Sequence, residues 1–383
     1  MNVLFVTHYS DFYGANKSML ALMVLMREKH GIKPLALLPN EGLMCTMLEE
    51  QGIDYIVSPY YWWVNYNHGI LQWVLNKRKQ WINWFRAKKI CSKIREYSVD
   101  LVYSNSVCIN FGFLIAQRLG FPHVWQFRES LTSFSLSLSL SLSLSRRIFT
   151  SKVNKKYVLV SDYLMSFYKT YLPNERMVCV YNGVDLPLGT GRLEDNKIHG
   201  RLQVACVGLI SDQKNQMELL RAQSILHERG VDIDTWFAGY QDGSDYQTSL
   251  KAYAKANGLV EMVHFVGHSD HVFEALSKMN LGVVTARDEA FGRVTIEYML
   301  MKMPVVGSRS GATPELIREG VTGELYELGD VTALADLIEG YVKHPELLIS
   351  QGEAAFREAT ERFSAESNVE RIYEQFVDVL SSK

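Results

Sequence analysis

Short apolar runs alternate along the chain with longer stretches in which apolar residues recur every three or four positions. The runs at 3–7, 34–38, 55–57 and 100–104 have the length of strands, and the stretches at 16–28 and 44–51 have the period of helices. Strands that are apolar throughout and separated by helices belong in a parallel sheet covered on both faces. The same rhythm restarts near residue 200, with strands at 202–208, 234–239, 263–266, 281–285 and 304–307 and helices at 214–228, 246–257 and 293–302. The pattern predicts an α/β protein of two Rossmann-like, doubly wound units. A polar, glycine-bearing stretch between 182 and 200 marks the junction, which gives domains 1–190 and 191–365. Apolar positions at helical spacing from Val369 to Leu380 predict a final helix within 366–383. Ligands of open parallel sheets bind beyond the carboxyl ends of the strands. Two such units facing each other would hold a ligand in the cleft between them.

The bulk numbers narrow the class. A length of 383 residues exceeds one ordinary core. Hydrophobic residues at 47% and charged residues at 21% are ordinary for a water-exposed globular chain, and the net charge of −2 gives no sign of a nucleic-acid binder. The five cysteines never fall in a C-x-x-C pair, which argues against a disulfide framework or a zinc site. The first residues run straight into a strand and lack a basic lead, so they do not read as a signal peptide. No apolar run reaches the ~18 residues of a membrane span. Cytoplasmic residence is the expectation.

Two segments stand apart. Residues 60–89 hold Trp62, Trp63, Trp73, Trp81 and Trp84 among Lys77, Arg78, Lys79, Arg86, Lys88 and Lys89. Aromatics mixed with cations suit a helix lying at an anionic membrane surface; a partly buried helical hairpin with a solvated basic face is the alternative. Residues 134–145 open with Phe134 and then alternate Ser and Leu strictly from Ser135 to Ser145. Period two predicts a strand with a leucine face, read either as a lid or as a lipid-docking surface.

The chemistry concentrates after the strand at 281–285. Glu289-Ala-Phe-Gly-Arg-Val-Thr-Ile-Glu297 passes through Phe291 and Gly292 into a helix near Arg293 and Val294. A helix start after a parallel strand offers free N–H groups and the positive end of the dipole, which suits a diphosphate. Gly292 lets the backbone approach closely. Glu297 is placed to accept hydrogen bonds from ribose hydroxyls, and Glu289 from those of a sugar beyond the diphosphate.

This stretch resembles glycosyltransferase family 4, of GT-B architecture, whose members carry two glutamates in a Glu-x-Phe-Gly-x-x-x-x-Glu context. The resemblance continues through Pro304-Val305-Val306-Gly307, Gly311-Ala312-Thr313-Pro314-Glu315, Gly320-Val321-Thr322-Gly323 with Asp330, Val263-His264-Phe265-Val266-Gly267 and Tyr181-Asn182-Gly183-Val184-Asp185. It implies α-retaining transfer of a sugar from a nucleotide-sugar, UDP first and GDP second, without a bound metal or other cofactor. It assigns donor binding to Gly208, Lys214, Val266, Glu289, Phe291, Gly292, Arg293, Val294 and Glu297. The family's usual arginine after the first strand of the second domain is Leu209 here; Arg293 or Arg287 is the residue expected to compensate. In the first domain, Gly14 and Ala15 follow strand one and would bring backbone to the donor phosphates. Gln126 and Arg128 occupy the region where many members have a histidine, and His123 lies upstream. Arg128 and Glu129 are expected to line the cleft, and with Glu289 and Lys214 they form the expected catalytic set, with no general base assigned. The first domain would take the acceptor and the second the nucleotide-sugar, and the final helix would cross back onto the first domain.

Asp232-Ile-Asp234 has the Asp-x-Asp spacing of a metal site but is expected to precede a strand instead of ending one, so no metal is assigned to it. The resemblance and the aromatic–basic segment together point to a lipid-linked saccharide acceptor at the inner face of the cell membrane, in synthesis of a surface polysaccharide such as O-antigen or capsule. A nucleotide-sugar epimerase of the same architecture, or a catalytically silent nucleotide-sugar-binding subunit, are the alternatives. A nicotinamide dehydrogenase is disfavoured, because no G-x-G-x-x-G follows a strand.

Overall fold

The run Val3–Val6 is fully buried, as the inner strand of a parallel sheet with helices on both faces requires. The computed structural model describes residues 1–65, 70–130, 137–138, 142–185, 196–239, 243–267, 274 and 276–382. It divides into two units, Met1–Gly183 with Ala365–Lys383, and Val184–Ser364. The sequence placed the first boundary at 190/191; the chain changes unit earlier because Val184 is already buried and its N–H donates to the Phe363 carbonyl at 2.8 Å.

The first unit contains β1 (Asn2–Val6), α1 (Gly14–His30), β2 (Lys33–Leu38), α2 (Leu43–Glu50), β3 (Asp54–Val57), β4 (Val64–Asn65), α3 (Ile70–Arg95), β5 (Leu101–Ser104), α4 (Phe111–Leu119), β6 (His123–Phe127), β7 (Ser137–Leu138), α5 (Leu142–Phe149), β8 (Asn154–Leu159), α6 (Asp162–Tyr168) and β9 (Met177–Cys179). Seven strands form a parallel sheet in the order β3-β2-β1-β5-β6-β8-β9. The order reverses between β1 and β5, which opens a crevice beyond their carboxyl ends. The last helix of the chain, Ala365–Ser381, belongs to this unit and buries Val369, Ile372, Phe376 and Val379 in the core with Phe5, Met19 and Tyr103.

The second unit contains β10 (Leu202–Val207), α7 (Gln216–Glu228), β11 (Ile233–Ala238), α8 (Asp245–Ala256), β12 (Val263–Val266), β13 (Leu281–Val284), α9 (Arg293–Leu300), β14 (Val305–Ser308), α10 (Thr313–Leu316), β15 (Gly323–Tyr326), α11 (Val331–Lys343) and α12 (Glu346–Arg362). Its six parallel strands run β12-β11-β10-β13-β14-β15. Its reversal lies between β10 and β13. Both units are therefore α/β and doubly wound, with a ligand-type crevice in each.

Three local expectations change. Residues 70–95 form one helix instead of a hairpin. The Ser-Leu alternation is only briefly a strand: Ser137–Leu138 pairs antiparallel with Val64–Asn65, and a helix begins at Leu142, led by leucines and closed by Arg146 and Arg147 in the last turn. The rest of that segment, with the lid and lipid-docking readings, lies outside the described residues. Asp234 stands within β11, where it accepts from Gln203 Nε2 at 2.9 Å.

Candidate functional site

The second unit builds its site from the two loops at the sheet's reversal point. After β10, residues 208–215 form a loop, and the helix starts at Gln216, two residues later than the apolar period indicates. Asn215 stops the helix from starting sooner: its φ is +55°, in the left-handed region. Lys214 is therefore a loop residue. Its Nζ lies 2.5 Å from Glu289 Oε2, on the loop after β13. Burial works against the ammonium's charge, but the charge and hydrogen bond of Glu289 outweigh it and raise the pKa above the ordinary lysine value.

Other contacts fasten the two loops together. Thr285 Oγ1 donates to the Lys214 carbonyl at 2.8 Å, and the Arg287 N–H donates to the Gln213 carbonyl at 2.9 Å. Arg287 Nη2 donates to Asn215 Oδ1 at 3.0 Å. A tight turn supports Glu289 from behind, its Ala312 N–H donating to the Glu289 carbonyl at 2.7 Å. Gly292 caps α9 with φ +98°, and a Cβ there would sit 2.9 Å from Leu316 Cδ1. Only glycine makes this turn without strain. The first turn of α9 then points its backbone N–H groups and the positive end of the helix dipole into the site, with the Thr295 N–H donating to the Gly292 carbonyl at 3.0 Å.

These loops enclose a pocket lined by Cys206, Lys214, Thr285, Glu289, Gly292, Val294 and Thr295. It combines one cation, one carboxylate and a helix N-terminus, a set suited to a phosphorylated ligand carrying hydroxyls. Glu297 stands one turn into α9, buried, and accepts from Arg293 Nε at 2.9 Å. Cys206, Thr285 and Thr295 were not singled out from sequence. Thr295 had a signal, as a hydroxyl inside the paired-glutamate stretch; its buried Oγ1 makes no hydrogen bond among the described residues.

Three expected donor residues sit differently. The Phe291 ring is buried with its centroid 6.3 Å from that of Phe363, so it packs the loop and leaves only its backbone for a ligand. Val266 ends β12, two strands from β10, and is not among the pocket's lining residues. Gly208 follows β10 with φ +145°, a backbone conformation that favours glycine, and a Cβ there would meet Lys214 Cε at an ordinary 3.7 Å, so what the position requires is its backbone turn. Leu209 is half exposed.

The first unit gathers a second polar cluster at its own reversal point. Gly14 opens α1 and Ala15 follows it. The Asn16 side chain latches the preceding loop, donating to the carbonyls of Tyr9 (3.0 Å) and Asp11 (2.7 Å). Asn105, after β5, donates to the Ala15 carbonyl at 3.1 Å and accepts from Arg128 Nε at 2.9 Å. Arg128 Nη1 donates to Asn182 Oδ1 at 2.6 Å. Glu129 accepts from Ser106 Oγ at 2.9 Å and lies 3.8 Å from His8 Nε2. Burial raises the Glu129 pKa despite the opposing pull of Ser106 and Arg128. Gln126 and His123 take no part. Gln126 is buried within β6 and accepts from Tyr103 Oη at 2.5 Å; His123 is buried between Ser104 and Asn154, its pKa held down to about 4 by burial.

His8, not singled out from sequence, is held down to about 3, first by burial and then by the charge of Arg128. Its folded pKa is depressed, so folding favours the neutral ring. This contribution is complete above the unfolded value of 6.5 and is lost as pH falls toward 3. Urea unfolding at a series of pH values should show that His8→Asn flattens the acid loss of stability, by about 3 kcal/mol between roughly pH 6.5 and 4. Wild-type and variant curves that run parallel would count against this assignment.

Paired glutamates at a helix start and a lysine from the neighbouring strand's loop thus meet at the reversal point of the second of two doubly wound units. Residues 192–358 match the family model of glycosyl transferases group 1. Among curated relatives, the chain is 34% identical over 150 residues to N-acetyl-alpha-D-glucosaminyl L-malate synthase of Bacillus anthracis, covering 39% of each. It is 28% identical over 201 residues to lipopolysaccharide core biosynthesis mannosyltransferase LpcC of Rhizobium leguminosarum, covering 50% of this chain and 57% of that one. These matches thus span about two-fifths to just over half of those relatives' length. Among solved structures, Anabaena HepE in complex with UDP and glucose superimposes with a TM-score of 0.76 at 22% identity, covering 98% and 99% of the two chains. A glycosyltransferase from Rickettsia africae gives 0.81 at 18%, covering 100% and 99%.

Proposed function

We propose that this chain is a retaining glycosyltransferase of family 4 that moves a sugar from a nucleotide-sugar, UDP-linked first and GDP-linked second, to a saccharide acceptor. The observation that carries the reading is the Lys214–Glu289 pair beside the α9 N-terminus, at the reversal point of the second sheet. The diphosphate sits against the helix start and Lys214; Glu289 turns to the hydroxyls of the donor sugar, and Glu297 to the ribose. The bond between the anomeric carbon and the diphosphate oxygen breaks, and the acceptor oxygen bonds to that carbon on the same face. The leaving diphosphate oxygen takes the acceptor's proton. Lys214 and the helix dipole favour the charge that develops on the leaving group. No metal is needed, since these groups supply the positive charge.

The cluster of Arg128, Glu129, Asn105 and Asn182 holds the acceptor. That acceptor is lipid-linked, and the setting is synthesis of a surface polysaccharide such as O-antigen or capsule, with the protein working peripherally at the inner face of the cell membrane. Support comes from the lipopolysaccharide role printed in the name of the Rhizobium relative and from the UDP and glucose held by HepE.

A thermal-shift panel of nucleotide-sugars and free nucleotides tests the donor. One UDP-sugar should stabilise the protein selectively, by about 2.7 kcal/mol at a hundredfold excess over its Kd, with EDTA leaving the shift unchanged. A panel without any stabilising nucleotide, or a shift that EDTA abolishes, would overturn the proposal. Donor turnover that needs no acceptor would point instead to epimerisation.

A further inference from the structure

A helix lying on a water-exposed protein surface puts its polar residues outward and its apolar residues inward. Helix α3 departs from this over its first half. Its inward stripe carries Asn76, Gln80 and Asn83, all buried, before Ala87, Cys91 and Ile94. Two of these amides are anchored: Asn83 accepts from the Tyr61 N–H at 2.8 Å and donates to the Tyr61 carbonyl at 2.7 Å, and Gln80 donates to the Trp62 carbonyl at 2.9 Å. The outward stripe carries Val74, 52% exposed, Trp81, 69% exposed, and Phe85, 48% exposed, with Trp84 at its side. Phe85 packs edge-on against both tryptophans, with ring centroids 4.9 Å apart in each pair. Trp84 is further held by Arg118, whose guanidinium lies 4.7 Å from its ring centroid.

Charge follows the same face. The 26 residues of α3 hold eight Lys and Arg and no Asp or Glu, while the whole chain has 42 acids to 40 bases. Lys77, Arg78, Lys88 and Lys89 are exposed and flank the aromatic stripe on either side. Solvation alone explains neither an aromatic ridge facing outward nor the complete absence of acids. Aromatic rings at the level of lipid headgroups, bordered by cations that meet anionic phosphates, explain both.

We infer that the outward face of α3 docks the first unit on an anionic lipid surface, with Trp81 and Phe85 entering the headgroup layer and Lys77, Arg78, Lys88 and Lys89 meeting its phosphates. No helix among the described residues is long and apolar enough to cross a membrane, so this contact is interfacial. The biological setting rests on the lipid-linked acceptor proposed above; the surface itself stands on the geometry of α3.

The test is vesicle co-sedimentation of the full chain, with phosphatidylglycerol–phosphatidylcholine vesicles set against pure phosphatidylcholine. Wild-type protein should partition onto the anionic vesicles at least about tenfold better, and less so as salt rises. The double variant W81S/F85S and the charge variant K77E/R78E/K88E/K89E should each lower that partition by at least about tenfold. Every altered side chain is exposed, and the urea-unfolding curves of both variants should match wild type, which checks that the first unit is folded. Equal binding to both vesicle types, or variants that bind as wild type does, would overturn the inference. So would variants that abolish self-association or heparin binding and leave vesicle binding intact, because the face would then serve a second copy or another polyanion. Vesicle binding that holds while no nucleotide binds would sink the transferase reading and leave this surface standing.

Discussion

Replacing Glu289 with alanine is expected to lower sugar transfer by about 10² to 10³ in kcat, and Lys214→Ala by a similar factor, the scale seen when one preorganised electrostatic contact is removed from a transition state. The two side chains form one unit, with Nζ 2.5 Å from the carboxylate. Removing either leaves a partly buried opposite charge without its partner, so the double variant should lose much less than the product of the two single losses. Glu289→Gln separates the roles. It keeps a group able to bind sugar hydroxyls but no longer holds Lys214 electrostatically, and it should retain more activity than alanine. Steady-state rates and a double-mutant cycle read this directly. Additive losses would mean that the pair does not act as a unit, and unchanged turnover in both single variants would remove the site assignment.

The second large effect is expected at Glu297. Glu297→Ala should reduce kcat/KM for the nucleotide-sugar by roughly 10², as expected for the loss of an oriented contact, with the larger part appearing in donor KM. The carboxylate is buried and also accepts from Arg293 at 2.9 Å, so a purely structural role predicts lost stability without a change in donor affinity. Donor titration combined with urea unfolding distinguishes the two. An unaltered KM together with a lower unfolding midpoint would assign Glu297 to holding α9 alone.

Much of this architecture is legible in the sequence because parallel-sheet strands are apolar on both faces. Runs such as Leu202–Val207 and Leu281–Val284 stand out without tertiary information. The pocket is legible for a related reason: Gly292, Glu289 and Glu297 lie close together in sequence, around one strand-to-helix turn. Features that depend on distant partners were not visible. Lys214 and Glu289 are 75 residues apart, and their contact depends on β10 and β13 lying side by side. The burial of Phe291 was not visible because its partner Phe363 lies far along the chain, just after the helix Glu346–Arg362. His8 lies in the loop after strand one but was not singled out, since its environment is assembled from Trp62, Arg128 and Glu129. Helix α3 was legible only in part. Aromatics mixed with cations marked the segment, but that its amides face inward to bind the backbone at Tyr61 and Trp62 depends on partners that composition does not show.

Calorimetric titration of UDP into the wild-type chain and into Lys214→Ala tests the central claim most directly. The account predicts saturable binding of one UDP per chain, unaffected by EDTA, and a Kd at least about tenfold weaker in the variant, the loss expected for one charge-assisted phosphate contact. Absence of UDP and GDP binding by the wild-type chain, or equal Kd values for wild type and variant, would contradict it.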